Sequence, residues 1–324
     1  MTDSAPKRAQ TATKPFRFGV ALWHARSRTE LVEKARRVET LGYDTLLFPD
    51  HLTDRLAPLP AAIAAAAATT RLRVGTNVLN NDFRHPAVLA REAATVDLLT
   101  DGRLQLGLGA GSIKSEYDQA GLAFDAGTVR VERLAEAVAI LKRLLAGERV
   151  NFKGRHYTVS DHALDPLPVQ KPHPPLLIGG NGRLLLSLAA READIVGLSG
   201  INFRDGGASP PDVSAWRAGV VDERVRLIGA AAGEERYARL ELNALLQRVI
   251  ATNNRRAAAE ELTGRWAQLS TAEILETPFA LIGTTEQMTE DLAVRRQRWG
   301  ISYYVVHEPY LDTLAPVVAR LAGH

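Results

Sequence analysis

Residues 103–112, Arg103-Leu-Gln-Leu-Gly-Leu-Gly-Ala-Gly-Ser112, run from a short apolar strand pattern directly into a glycine cluster, and an amphipathic helical pattern follows at Val129–Leu145. That order is what a parallel sheet demands: a strand buried on both faces, a loop at its carboxyl end, then a helix that carries the chain back. Working outward, eight strand-like runs can be placed: Phe16–Leu22, Tyr43–Phe48, Leu72–Val78, Arg103–Gly109, Pro175–Gly180, Asp194–Leu198, Leu240–Ile250 and Ile301–His307. Helical patterns lie between them, such as Thr29–Leu41 with Leu31, Ala35 and Val38 on one stripe. Gly42 and Gly147 follow helices, and Pro86 opens one. Eight strand-helix units predict an α/β (β/α)8 TIM barrel.

Two connections are too long for simple loops and predict rim insertions. Residues 147–174 contain a hairpin pattern at Val150–Val159, and residues 251–300 hold helical insertions. The 324-residue length is also compatible with two domains, but no linker or repeat divides the chain. Residues 16–324 are therefore expected to form one barrel domain, behind a disordered tail over residues 1–15. A doubly wound open sheet is the structural alternative; the glycine-rich fingerprint it usually carries after its first strand is missing from Gly19-Val-Ala-Leu-Trp23.

Composition removes several classes of function. The chain is 46% hydrophobic and 24% charged, enough to bury a full core. It has no cysteine, which excludes disulfides, thiolate metal sites and thiol nucleophiles. The 40 Lys+Arg against 37 Asp+Glu are dispersed with no basic block, so no nucleic-acid partner is expected. The most membrane-like run, Ala61–Ala68, is followed by Thr69, Thr70 and Arg71 and reads as a packed helix, so no membrane association is expected. The first fifteen residues have no apolar core and no twin-arginine pair, and cytoplasmic location is the expectation.

In a barrel, chemistry sits at the carboxyl ends of the strands. The two glycine clusters there, Gly109-Ala110-Gly111-Ser112 and Gly179-Gly180-Asn181, free backbone amides to approach a phosphate or a flat ring. Either cluster alone could simply make a tight turn; both together, after adjacent strands four and five, point to a bound cofactor that is extended and anionic. Asp50-His51 follows the second strand, and two readings stay open: an acid/base pair, or a capping Asp beside a surface His. Trp23, His24, Asn81, Arg248, His307 and Glu308 stand at strand ends as substrate-side candidates, although barrel ends also hold structural ion pairs. Glu116 and Tyr117 read as a contact pair on a mouth loop or as a solvated turn. No metal is expected, because His24, His51, His85 and His307 lack helical i, i+4 spacing and an accompanying carboxylate cluster. Glycoside hydrolysis has only Asp50 and Glu308 to offer, and Gly-x-Ser-x-Gly is absent.

Several segments together carry a family resemblance. They are Phe16-Arg-Phe-Gly-Val20, Gly42-Tyr-Asp-Thr-Leu-Leu-Phe-Pro-Asp50-His51, Leu72-Arg-Val-Gly-Thr76-Asn-Val-Leu79, His85-Pro86, Asp101-Gly-Arg-Leu104 with Leu106-Gly-Leu-Gly-Ala-Gly111, Phe152-Lys-Gly154-Arg-His-Tyr157, Pro174-Pro-Leu-Leu-Ile-Gly-Gly180 and Leu281-Ile-Gly-Thr284. From Phe16 to Leu321 the chain resembles the bacterial luciferase-like (β/α)8 flavin and deazaflavin oxidoreductases. Gly109–Tyr117, Arg191–Gly197 and Glu241-Leu-Asn243 with Gln247-Arg248 are most similar to members that use coenzyme F420.

The resemblance implies His51 and Asn77 as catalytic residues, His51 in proton transfer or in stabilising a substrate anion. It implies a non-proline cis peptide at Asn77-Val78 that buttresses the ring, with Thr76 alongside. The loops Gly109–Ser112 and Gly179–Asn181 are implied to line the cofactor's side chain and phosphate. Hydride transfer between F420 and a small organic substrate follows, in a homodimer. The alternatives are an FMN-dependent monooxygenase that uses O2 and a separate cofactor reductase, and a cofactor-binding protein without turnover.

Overall fold

Along each barrel strand, alternate side chains face opposite sides, and the two sides have different partners here. In the computed structural model, which describes residues 14–53, 55–202, 205–208 and 212–324, eight parallel strands form the barrel, and a short ninth strand, Leu79–Asn80, joins the same sheet. The barrel strands are β1 (Arg17–Ala21), β2 (Thr45–Phe48), β3 (Arg73–Thr76), β4 (Leu104–Gly109), β5 (Leu176–Gly180), β6 (Ile195–Leu198), β7 (Glu241–Leu246) and β8 (Ile301–His307). Neighbours in sequence pair around the ring, β8 returns to β1 through Arg17↔Tyr303 to Ala21↔His307, and β3 meets β4 at Val74↔Leu104 and Gly75↔Gln105. The ring is closed, which leaves no sheet edge and confirms the (β/α)8 expectation.

Phe18, Val20, Leu46 and Val74 face outward into the main core beneath the helices, whereas Ala21, Leu47, Leu177, Ile195, Tyr303 and Val305 fill the barrel itself. The amino-terminal end of the barrel is plugged by polar groups. Arg17 donates to Glu241 at 2.6 Å and to Gln105 at 3.3 Å, Gln105 donates to the Tyr303 hydroxyl at 3.3 Å, and that hydroxyl lies 2.5 Å from Thr45 Oγ1. With this end closed, the carboxyl end is left to bind ligands.

Helix boundaries follow from capping chemistry. Ser27 caps the helix Arg28–Thr40, Pro86 occupies the first turn of Pro86–Leu99, and Thr284 forms a capping box with Gln287 at the start of Thr285–Trp299. The expected hairpin is present as Val150–Lys153 paired antiparallel with Thr158–His162. Its turn is clamped by Glu136, whose carboxylate accepts the N–H groups of Arg155, His156 and Tyr157 at 2.7–3.0 Å. The Asn77-Val78 peptide is cis, as the resemblance implies.

One strand expectation is corrected. The run Leu240–Ile250 is not a single strand: β7 stops at Leu246, and the Gln247 N–H turns to the carbonyl of Phe279 at 2.7 Å. Arg248–Ala251 then pairs in parallel with Ala280–Gly283 as a separate two-stranded sheet on the rim. The insertion 251–300 thus contains a strand as well as the helices Arg255–Arg265 and Thr271–Glu276. Val249-Ile250 is as apolar and β-branched as a barrel strand, so composition alone gives no sign of the break.

Most of the expected tail, residues 1–13, lies outside the described residues. Lys14 is held by two contacts: its ammonium donates to the Arg239 carbonyl, and its own carbonyl accepts from Arg296 at 3.3 Å. No described helix is long and apolar enough to cross a membrane.

Candidate functional site

A cavity of about 580 Å³ opens at the carboxyl ends of β2 to β7. Its floor is Val78, carried there by the cis bond after β3, and the glycines of β4 and β5 close around that side chain. A β-carbon on Gly109 would lie 2.7 Å from Val78 Cγ2, so glycine is required for the close approach. Gly111 has φ +76°, and a side chain there would also meet the Tyr117 hydroxyl. The flat floor follows directly from these small residues.

Two helices supply the walls. Gly127, Thr128, Arg130 and Val131 come from the first turn of Gly127–Leu145, with Arg130 donating to the Ala110 carbonyl at 3.1 Å. The helix Arg183–Glu192 begins at the cavity, and its N-cap Gly182 has no side chain to satisfy the first-turn amides. Uncapped amides at a helix start favour an anion. Asn181 donates through Nδ2 to Ile201 O at 3.0 Å and to Asn202 Oδ1 at 2.8 Å. Its own Oδ1 is buried without a partner among the described residues, so it is an acceptor left for a ligand.

His51 and Glu116 both line the cavity, with His51 Nδ1 2.8 Å from Glu116 Oε1. The Glu116 side chain is only 6% exposed, against 36% for His51. This resolves the two readings of Asp50-His51. Asp50 receives Arg84 at 2.6 and 3.3 Å and the Asn80 N–H at 3.1 Å, so it anchors structure, and Glu116 is the carboxylate that holds the imidazole. The sequence pairs Glu116 only with its neighbour Tyr117, and nothing local marks a contact between residues 65 positions apart. Asn243, near the middle of β7, also lines the cavity, and nothing in the local sequence marks it as a site residue.

Among the expected cofactor-side residues, His51, Asn77, Val78, Gly109, Ala110, Gly111, Ser112, Gly179, Gly180 and Asn181 line this one cavity. Thr76 does not: it is fully buried between strands, its hydroxyl donating to Gly107 O at 2.8 Å and accepting from Gly107 N at 2.9 Å. Asn81 and Tyr117 lie behind the wall. Asn81 donates to the Tyr157 hydroxyl at 3.2 Å, and the Tyr117 hydroxyl is 3.0 Å from Asn80 Oδ1 and from Asp82 Oδ2. Burial and then the Asp82 charge push the Tyr117 phenol well above its ordinary range, so it stays protonated.

The other substrate-side candidates gather at β7, β8 and β1 on the same end of the barrel. Trp23 packs edge-on against His307 at 4.8 Å, and Arg55 stacks over the Trp23 ring at 3.9 Å. Arg248 lies over the Trp266 ring at 5.2 Å. Glu308 is drawn out of this group by an ion pair to Lys34 at 3.2 Å, and Lys34 also donates to the His24 carbonyl at 3.1 Å. Burial, and then the charges of Arg248 and Arg55, pull the His307 pKa down to about 4. Among the described residues no group of three or more His, Asp or Glu could hold a metal ion.

The chain is similar to known proteins both in sequence and in fold. The chain is 37% identical over 191 residues to an F420-dependent glucose-6-phosphate dehydrogenase of Microbacterium testaceum, covering 56% of each chain. A protein of the same name from Nakamurella multipartita is 35% identical over 194 residues, covering 56% of this chain and 55% of its own. The chain thus spans about half the length of the curated relatives it matches. In three dimensions it superposes on the coenzyme F420 dependent tetrahydromethanopterin reductase from Methanopyrus kandleri with a TM-score of 0.73 and 17% identity, over 95% of this chain and 98% of the other. That likeness establishes the barrel. The family model described as luciferase-like monooxygenase matches residues 12–303, nearly the whole described chain, and the protein belongs to that family.

Proposed function

We propose that this protein is a coenzyme F420-dependent oxidoreductase acting on a small organic substrate. The observation that carries the reading is the conjunction, in one cavity, of a glycine-walled floor, an unpartnered buried acceptor and a carboxylate-held histidine. The names of the curated relatives support the choice of F420 over FMN.

The residues present fit such a cofactor. Val78 and Asn77 would bear the flat ring, the orphaned Asn181 oxygen would take a hydroxyl of the cofactor's side chain, and the amides of Gly182 and Arg183 would receive its phosphate. When bound, F420 supplies two-electron hydride transfer and does not activate oxygen as a reduced flavin does.

The protein's own contribution is orientation and proton handling. With the Nδ1 proton of His51 donated to Glu116, Nε2 is left as the nitrogen free to accept a proton. Oxidation of a substrate alcohol removes a hydride from carbon and a proton from oxygen, and His51 is the group in the cavity suited to take that proton. The reverse reaction returns it. Asp50 and Arg84, bonded to each other and to the Asn80 amide, keep the end of β2 and the segment after β3 in register.

Fluorescence quenching on titration with F420 and, separately, with FMN tests the reading. Selective F420 binding at micromolar concentration is expected; preference for FMN would move the protein to oxygen-dependent chemistry, and binding of neither would sink both. A homodimer completes the proposal, with exposed Val88, Leu98 and Leu99 on Pro86–Leu99 as candidate contacts, and light scattering as its check.

A further inference from the structure

Tyr117 is fully buried in the short helix Lys114–Ala120, one position after Glu116. Its aromatic ring lies 5.5 Å from that of Phe83 and 4.9 Å from that of Phe124, contacts a phenylalanine would make equally well. What the tyrosine adds is its hydroxyl, which shares its proton between Asn80 Oδ1 and Asp82 Oδ2, each at 3.0 Å, and fills the space that a side chain on Gly111 would need. Asn80 in turn donates its backbone N–H to Asp50 Oδ2 at 3.1 Å, and Asp50 precedes His51. With His51 Nδ1 2.8 Å from Glu116 Oε1, the path from His51 through Glu116, Tyr117, Asn80 and Asp50 returns to His51. Peptide-bonded neighbours and hydrogen bonds alternate along it, and the circuit is closed. A helix of 7 residues has little stability of its own, and this one starts at Ile113, which offers no side-chain cap. Its placement therefore comes from tertiary contacts, and the Tyr117 hydroxyl supplies the directional ones to the segment after β3.

We infer that Tyr117 is a positioning residue for the His51–Glu116 pair: its hydroxyl closes the circuit that keeps Glu116 within reach of His51 Nδ1 and so sets the tautomer that His51 presents to the cavity. Hydrogen bonds restrain direction as well as distance, and a closed path of them restrains both ends of the His51–Glu116 contact, which a lone contact between a loop and a short helix does not. Removing the hydroxyl cuts the circuit cleanly. Asn80 Oδ1 keeps the Asp82 N–H at 3.1 Å and Asp82 Oδ2 keeps Arg133 at 2.8 Å, so both acceptors stay partnered and only the tie to the helix is lost. The use of the pair to move protons rests on the proposed oxidoreductase function; the circuit itself does not.

The test is NMR of the full-length protein with its histidine imidazoles isotopically labelled, the His51 signals being assigned with His51→Gln. In the unsubstituted protein the neutral imidazole should carry its proton on Nδ1 and exchange it slowly with water. Tyr117→Phe should speed that exchange by roughly tenfold, the effect of one lost buried hydrogen bond on local opening, and should add signal from the Nε2–H tautomer. Asn80→Ala, which removes one of the two acceptors, should move both readouts the same way by less, and decides the question should Tyr117→Phe not fold. Tyr157→Phe is the control: its hydroxyl accepts from Asn81 Nδ2 at 3.2 Å outside the circuit, so its loss should lower Tm without moving the His51 signals. Unchanged His51 signals in the folded variants, an equal shift in Tyr157→Phe, or a neutral His51 protonated on Nε2 in the unsubstituted protein overturns the positioning role. F420 titrated into the same samples separates the two proposals: F420 binding with unchanged His51 signals removes the positioning role alone, and shifted signals without F420 binding remove the oxidoreductase reading alone.

Discussion

His51 Nδ1 lies 2.8 Å from Glu116 Oε1, joining the loop after β2 to the short helix Lys114–Ala120 across 65 residues of chain. The contact fixes which imidazole nitrogen faces the ligand. His51→Ala should lower kcat by roughly 10²–10³-fold while the Kd for F420 changes little, since a positioned acid/base contributes about that much. Glu116→Gln keeps the shape but weakens the hold on the Nδ1 proton, and a smaller loss, roughly tenfold, is expected. Stopped-flow reduction of F420 measures both; equal losses in cofactor affinity and turnover would contradict a proton-handling role.

Gly109→Ala would set a methyl 2.7 Å from Val78 Cγ2, and Val78 is the cavity floor. Overpacking of this kind costs about 1–3 kcal/mol, divided between fold and ligand. The Kd for F420 should rise by roughly tenfold, with a fall in Tm of a few degrees, followed by fluorescence titration and calorimetry.

Much of this candidate site is legible from sequence because parallel barrels put function where strands end, and the two glycine clusters together, either of which alone could be a tight turn, mark the ends of β4 and β5. The loops Gly109–Ser112 and Gly179–Asn181 line the cavity for that reason. Thr76 fails the same logic because the last residue of a strand can turn to its neighbour, here Gly107, instead of to the mouth. Asn81 and Tyr117 fail because side-chain direction in a loop is set by partners far away in sequence, Tyr157 and Asp82 among them. The pairing of His51 with Glu116 and the departure of the chain from the barrel at Gln247 are likewise long-range matters, decided by tertiary contacts that no local period encodes.

Arg103, in the segment that first indicated the barrel, has a structural task. Its guanidinium donates to the carbonyls of Ala66 at 2.9 Å, Thr69 at 3.2 Å, Leu72 at 3.3 Å and Thr100 at 2.9 Å. They include the Ala66 carbonyl at the carboxyl end of the helix Pro58–Ala67, which has no basic residue of its own in its last turn. Arg103→Leu should cost about 2–4 kcal/mol, because several partly buried carbonyls lose a charged donor at once. Urea unfolding measures it; a change below about 0.5 kcal/mol, the range of an ordinary surface substitution, would show water replacing the arginine without penalty.

His307 predicts a pH dependence of stability whose sign can be worked out. Its pKa falls to about 4 in the folded protein through burial, then through Arg248 and Arg55, whereas the unfolded chain titrates near the ordinary value of 6.5. Between those values the unfolded state binds the proton and the folded state does not, so stability is complete above pH 6.5 and declines as the pH falls toward 4. The shift corresponds to about 3 kcal/mol across that window. Glu39 and Glu136 are held below the ordinary carboxylate range, burial opposing the effect and backbone N–H donors outweighing it, so they act below about pH 4.5, while Glu241, raised by burial against the pull of Arg17 and Lys14, works in the opposite direction to His307. Urea unfolding at pH 7, 6, 5 and 4.5 should show a decline that His307→Gln largely removes. An identical decline in His307→Gln would mean that some other group carries the acid sensitivity.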